Sequence, residues 1–364
     1  MSSPREFSIS KPYCMRKTIA YLLAALGLTA CGHPKPESVD AAAFAELADR
    51  PDVVLLDVRS ASEYRQGHLA GAVNIDQGQD GFIDQAKAQL PAGQTVGVYC
   101  LRGRRGDAAA RRLAAEGFRC VNLKGGINAW KAAGLPVTTD THEVDLFKAA
   151  DGKTIRFHAL MHASIRIEYD GLDIEVDPVG SLGDRTVDYA AMPKADLVLV
   201  THEHPDHYDE ATLRLLVGEH TRLVTNRRCA DMYGAGLAMA NGDRVQLSDR
   251  IAVEAVPAYN TTEEHLQFHP KGRDNGYILT LGGTRIYIAG DTEDIPEMKQ
   301  LGDIDIAFLP CNQPFTMTTG QLARAARAVK PRVLFPYHYG QTDLGAVAAQ
   351  LGAEGIDVRI RHYE

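Results

Sequence analysis

Apolar positions along this chain fall into short runs bounded by polar and turn residues, and their period changes between the two halves. Val53-Val54-Leu55-Leu56-Asp57 and Thr95-Val96-Gly97-Val98-Tyr99 are nearly continuous apolar runs, as strands buried on both faces require. Behind the second run, residues 107–116 carry helical spacing. The second half opens with strict alternation in Ser164-Ile165-Arg166-Ile167-Glu168-Tyr169 and Leu172-Asp173-Ile174-Glu175-Val176, and Asp170-Gly171 between them is a hairpin signal. Further strands are predicted at 196–200, 223–224, 251–256, 277–281, 285–289, 306–309 and 333–335, with helices at 210–216, 319–329 and 345–351. The pattern predicts an α/β chain: a parallel-sheet domain first, then a sandwich of two sheets with helices outside. Residues 138–151 are polar and aperiodic and predict a linker between domains at 38–138 and 152–364.

A length of 364 residues agrees with two domains, and 45% apolar with 24% charged residues is ordinary for a soluble fold. The formal net charge of -8 leaves no basic footprint, so nucleic acid is excluded as an expected partner. Residues 1–31 differ from the rest. Arg16-Lys17 precede an apolar run at 19–30, too short to span a bilayer, and this is the pattern of a secretory signal. The ending Leu28-Thr29-Ala30-Cys31 resembles a bacterial lipoprotein lipobox. That resemblance implies lipidation at Cys31 and an exported protein anchored by lipid, facing the periplasm from the outer membrane. Of the six cysteines, Cys14 and Cys31 fall in this segment; the other four are widely spaced, and no structural disulfide is expected.

Cys100 opens the loop Cys100-Leu101-Arg102-Gly103-Arg104-Arg105-Gly106 between a strand and a helix. Such a loop presents backbone N–H groups and a helix N-terminus to an anion, and together with the arginines it favours a thiolate. Asp57-Val58-Arg59, Glu63-Tyr64, Gly67-His68, Gly71-Ala72-Val73-Asn74-Ile75, this loop, and Gly125-Gly126-Ile127-Asn128-Ala129-Trp130 together resemble a single rhodanese domain. The resemblance implies a sulfurtransferase that carries a persulfide on Cys100. Arg105 would orient the loop, while Arg102 and Arg104 would attract an anionic sulfur donor. Asp57 and Arg59 are expected to form an ion pair at the strand end, and Trp130 to sit in the core.

Thr201-His202-Glu203-His204-Pro205-Asp206-His207 follows the strand at 196–200 and throws imidazoles and a carboxylate into one small volume, a donor set suited to zinc. Asp291 and His338 follow two later strands. These positions resemble the metallo-β-lactamase fold, an αββα sandwich. The resemblance assigns His202 and His204 to a first metal site, Asp206, His207 and His338 to a second, and Asp291 to a bridge, with Asp206 also a candidate catalytic carboxylate. Two divalent ions, zinc first and manganese or iron next, would activate water and clamp a developing oxyanion. Met161-His162-Ala163-Ser164, Asp177-Pro178, Phe268-His269-Pro270-Lys271-Gly272, Asn275-Gly276-Tyr277 and Pro336-Tyr337-His338-Tyr339 are similar to the branch that includes the ascorbate-6-phosphate lactonases. Asp177 would then hold a ligating histidine by its far N–H, and His162 would pack behind the ligands or meet the substrate. Lys271 and Arg273 would hold an anionic substrate group. Where the fold supplies a third histidine to the first site, this chain has Asn260; His269 or His265 would complete the site, or the ion would be held loosely or only with substrate, with His269 favoured.

These features predict an exported enzyme coupling sulfur transfer to dinuclear hydrolysis of an ester, lactone, phosphodiester or thioester. Its partners would be an anionic small molecule and a sulfur donor or acceptor thiol. Two alternatives stand beside it: a persulfide dioxygenase with one Fe(II), and a non-catalytic sulfur carrier.

Overall fold

In the computed structural model, residues 36–48, 50, 52–90, 93–139 and 142–363 are described; the signal segment expected at 1–31, with Cys31, lies outside them. The first sheet runs in the order Glu37–Val39, Arg119–Leu123, Thr95–Tyr99, Val53–Asp57, Val73–Asn74, every neighbouring pair parallel. Both apolar runs at its centre are buried, as their lack of alternation predicts. The helix behind Cys100 spans Arg104–Ala115 and begins ahead of its apolar periodicity. Gly103, at φ 85°, turns the loop straight into it, so Arg104 and Arg105 are helical. Asp57 and Arg59 form the expected ion pair at 2.6 Å, fully buried, and the Arg59 guanidinium also donates to the Gly67 carbonyl. Trp130 is buried against Phe44.

The second domain is the predicted sandwich. One seven-stranded sheet runs from Leu237–Ala238 through Arg222–Thr225, Leu197–Val200, Leu172–Val176, Ser164–Tyr169 and Thr154–Met161 to Glu143–Lys148. The other runs from Arg244–Ser248 through Ile251–Ala258, Asp274–Leu281, Thr284–Ile288, Ile306–Pro310 and Val333–Tyr337 to Asp357–Val358. Their facing sides close over one apolar core that includes Phe157, Ile165, Ile174, Leu199, Tyr277, Phe308 and Phe335. The helices Thr319–Val329 and Gly345–Ala353 lie against the outer face of the second sheet, and Glu210–Leu216 against the first.

The segment expected as a linker is corrected by the structure. Glu143–Lys148 is an edge strand, paired antiparallel with Thr154–Met161, so this domain begins before residue 152. Its polar residues are those of an edge facing other chain: Asp145 accepts from the guanidinia of Arg359 and Arg361, and Leu146 packs into the apolar core of the first domain. The two domains also join through Arg156, which donates to the Val53 carbonyl at 3.0 Å, and through Gln94, which donates to Thr154. Val53 starts its strand and Arg156 lies near the start of Thr154–Met161. Asn74, level with Asp57 at the end of the same strand, shares a cavity with residues 142–145, which flank the pairs of residues 157–159.

Candidate functional site

The metal-ligand candidates come from strand ends and loops across both sheets. Leu197–Val200 ends at Thr201, whose N–H and hydroxyl both donate to the Asp177 carboxylate at 2.7 Å. The same carboxylate accepts from His207 Nδ1 at 2.9 Å, which turns His207 Nε2 toward Asp291 at 3.3 Å. Asp177 thus holds the Nδ1 side of His207, and hydrogen bonds to a charged group of this kind contribute about 1.5–3 kcal/mol each. On one side, His202 Nε2 and His269 Nε2 each lie 3.1 Å from His204 Nδ1. On the other, His338 Nε2 lies 3.4 Å from Asp206 and 3.3 Å from Asp291, and His162 Nε2 lies 3.1 Å from Asp206. Asp291 sits between the groups, its carboxylate 3.4 Å from His269 Nε2 and 3.9 Å from His202 Nε2.

Two observations fit divalent ions to these residues. His207 Nε2, His338 Nε2 and Asp291 Oδ1 are buried with no hydrogen-bond partner, although they lie close together. Orphaned polar atoms in a dry site are costly unless something else satisfies them. The electrostatics then divide the histidines. Burial drives His202 well below the usual imidazole pKa and His269 down to about 4, so both are neutral, as ligands must be. Burial also opposes charge on His338, but Asp291 and Asp206 outweigh it and raise its pKa to about 9. Among these same groups Asp291 is held well below the carboxylate range: burial works against its charge, and His338 and His207 overcome that.

The question left open at Asn260 has a geometric answer. His269 joins His202 and His204, whereas His265 is turned away to Glu293 at 3.2 Å. Asn260 donates to the carbonyls of His265 and Phe315 and so braces the loop that delivers His269. Glu293, which the sequence reading missed, anchors that loop. It is fully buried and accepts from the N–H and hydroxyl groups of both Thr261 and Thr262. Its signal was its place two residues beyond Asp291. Lys271 departs from expectation: its ammonium binds Glu297 at 2.7 Å and the Tyr259 hydroxyl at 3.0 Å, so its charge is already met. Arg273 is likewise paired with Asp274 and Glu203. His162, Asp177 and His338 all adopt left-handed backbone, at φ 54°, 43° and 47°. Non-glycine residues tolerate that strain mainly at functional sites.

In the first domain Cys100 Sγ accepts from the Gly103 N–H at 3.2 Å. Cys100, Arg102, Arg104 and Arg105 line one cavity of about 480 Å³ with Gln77, Leu101 and Ala108. Arg105 is clamped by Glu63 through two hydrogen bonds of 2.8 and 2.5 Å, while Arg102 and Arg104 are exposed. The other described cysteines, Cys120, Cys229 and Cys311, are buried and free, and burial raises the thiol pKa of Cys120 and Cys311 to about 12.

Comparison with known proteins agrees with both halves. The Beta-lactamase superfamily domain matches residues 156–338, and the Rhodanese-like domain matches residues 40–133. A metal-dependent hydrolase of Methanopyrus kandleri is 31% identical over 227 residues, 57% of this chain and 95% of that protein. One of Geobacillus thermodenitrificans is 31% identical over 194 residues, 51% of this chain and 84% of that protein. A crystal structure from Parabacteroides distasonis, described as a metal-dependent hydrolase, superposes with a TM-score of 0.59 at 48% identity, covering 61% of this chain and 100% of that one. The chain therefore belongs to the β-lactamase superfamily, with a rhodanese-like domain ahead of its superfamily domain.

Proposed function

We propose that this chain is an exported two-domain enzyme that couples sulfur transfer at Cys100 to hydrolysis at a dinuclear metal centre. The observation that carries the hydrolase reading is the convergence of His202, His204 and His269 on one side of Asp291 and of Asp206, His207 and His338 on the other. Divalent ions bound there would supply Lewis acidity and activated water. Within the chain, Asp177 sets the His207 tautomer, Glu293 fixes the loop of His269, and Asp206, with its partly exposed carboxylate, is placed to handle a proton at the mouth of the site. Substrates that fit are an ester, lactone, phosphodiester or thioester, the lactone drawing support from the branch the motifs resemble. A mononuclear Fe(II) dioxygenase needs fewer donors than converge here.

At the other centre, the Cys100 thiolate takes the outer sulfur of an anionic donor held by Arg102 and Arg104. The donor's bond to that sulfur breaks with the electron pair leaving on the donor, and an acceptor thiolate then takes the sulfur and restores Cys100. Coupling of the two activities is supported by the contacts that join the domains, Arg156 to the Val53 carbonyl, Gln94 to Thr154, and Leu146 in the core of the first domain. The signal at 1–31 supports export, with lipid on Cys31 as the anchor.

Elemental analysis of the purified chain, with hydrolysis of a panel of lactones, thioesters and phosphodiesters before and after chelation, tests the reading. About two zinc or manganese ions per chain and chelator-sensitive hydrolysis are expected. One iron with oxygen consumption on glutathione persulfide would replace the hydrolase by the dioxygenase. Neither metal nor sulfur transfer would leave only the carrier.

A further inference from the structure

We propose that His162 is itself a metal ligand, completing a four-residue second position with Asp206, His207 and His338; the inference rests on the dinuclear reading above. One donor atom from each of these residues lies within 4.8 Å of the others. Zinc–imidazole bonds of about 2.0–2.1 Å set the ligand atoms of one ion roughly 2.8–3.4 Å apart for octahedral to tetrahedral angles. The separations at Asp206 Oδ2 are 3.1 Å to His162 Nε2 and 3.4 Å to His338 Nε2, in that range, with His207 Nε2 at 3.9 Å.

The chain holds His162 as tightly as the ligands it joins. Its ring centroid is 3.8 Å from that of His338, and the residue is 8% exposed. Its N–H donates to the Tyr363 carbonyl at 2.8 Å and its carbonyl accepts from the His338 N–H at 3.2 Å, so the two histidines move as one unit. Both have left-handed backbone, which turns each side chain back toward the strand ends. A histidine that only packed behind the ligands would present a ring face to them, and one that only braced Asp206 would meet the carboxylate oxygen that His207 and His338 do not face. His162 presents Nε2 to the very oxygen that His338 faces.

The consequence is an unequal pair. The second position has four protein donors besides Asp291, while the first has three histidines and keeps an open place for substrate, as catalytic zinc sites do. The second position fills first.

The test is anomalous diffraction at the zinc edge from the full chain loaded with Zn²⁺, joined to a titration of wild type and His162→Ala with Zn²⁺ alone. Expected are His162 Nε2 about 2.0–2.1 Å from the second ion and, in the variant, selective loss of the tighter of two binding steps. Retention of the weaker Zn²⁺ step, together with an unchanged far-UV circular dichroism spectrum, reports that the second domain of the variant is folded. A nitrogen more than about 3 Å from the ion, with Asp206 between them, or a variant that keeps both steps unchanged, overturns the role of His162 and leaves the dinuclear reading intact. A wild-type chain that binds no second ion overturns both.

Discussion

The two candidate centres are built in opposite ways. The Cys100 centre is one loop of consecutive residues closing onto a helix, braced from outside by Glu63 on Arg105 and by the Ile127 and Asn128 N–H groups, which donate to the carbonyls of Cys100 and Leu101. The metal centre draws on positions from His162 to His338, in two sheets and a braced loop. A local loop keeps its chemistry as long as its own turn is intact. A dispersed centre depends on the registry of the whole sandwich, and so on residues such as Asp177 and Glu293 that meet no substrate.

The largest expected effect separates the centres outright. Cys100→Ser should abolish thiosulfate:cyanide sulfur transfer and leave hydrolysis of a directly added lactone or ester, which bypasses the sulfur step, unchanged, because the cysteine cavity contains none of the metal-ligand candidates. Chelation, or Asp291→Asn, should abolish hydrolysis and leave sulfur transfer unchanged, because the metal, or the carboxylate lying between the two groups of histidines, is then gone while the loop is untouched. Assaying both reactions on each variant decides the matter; if Cys100→Ser lowers both, the centres share a step.

Next in size is Asp177→Asn. The amide keeps the shape but cannot accept from both Thr201 and His207 as the carboxylate does. Removing such a partner of a ligating histidine lowers metal affinity or activity about 10–100-fold. Zinc titration should show that loss with sulfur transfer intact, and an unchanged affinity would mean that His207 is held by packing alone.

The contrast also explains what could be read from the sequence. The contiguous features were legible: the loop from Cys100, the cluster from His202 to His207, and the strands whose apolar runs are continuous or strictly alternating. Helices at Glu210–Leu216 and Thr319–Val329 fall where the periodicity puts them. What failed was non-local. The edge strand Glu143–Lys148 looks like a linker because its polar side chains are met by residues far along the chain, Arg359 and Arg361. Lys271 looks like an anion contact until Glu297 and Tyr259 are brought to it. Its place on the loop alone favours His269 over His265; what the sequence does not supply is the reason, Glu293 turning His265 away.

A third prediction probes how local the cysteine loop is. A Cβ at Gly126, itself at φ 62°, would lie 2.1 Å from the Cys100 carbonyl oxygen and 2.7 Å from the Arg102 nitrogen, both backbone atoms. Gly126→Ala should therefore displace the loop and destabilise the first domain by more than about 1 kcal/mol. Trp130, the only tryptophan, lies in that domain and reports its unfolding by fluorescence. Sulfur transfer should fall while zinc binding holds; equal loss of both would show that the domains fold as one unit.

The smallest effect concerns the clamp on Arg105. The hydrogen bonds from Arg105 lower the Glu63 pKa from 4.5 to about 2, against burial and with help from Ser60. A carboxylate whose folded pKa is depressed adds stability that is complete above its unfolded value and lost as pH falls through the folded one. The window is therefore from about 4.5 down to about 2. Because 28% of the Glu63 side chain and 39% of the Arg105 side chain remain exposed, solvent screening limits the contribution to about 0.5–1 kcal/mol. Glu63→Gln preserves the helix-capping geometry at Ser60 but removes the charge. Urea unfolding followed at Trp130 should find the variant weaker by that amount at neutral pH and level with wild type near pH 2. A gap that persists in acid would mean that the substitution acts through something other than the charge of Glu63, and that the loop carrying Cys100 is held by the Ile127 and Asn128 N–H groups without help from the ion pair.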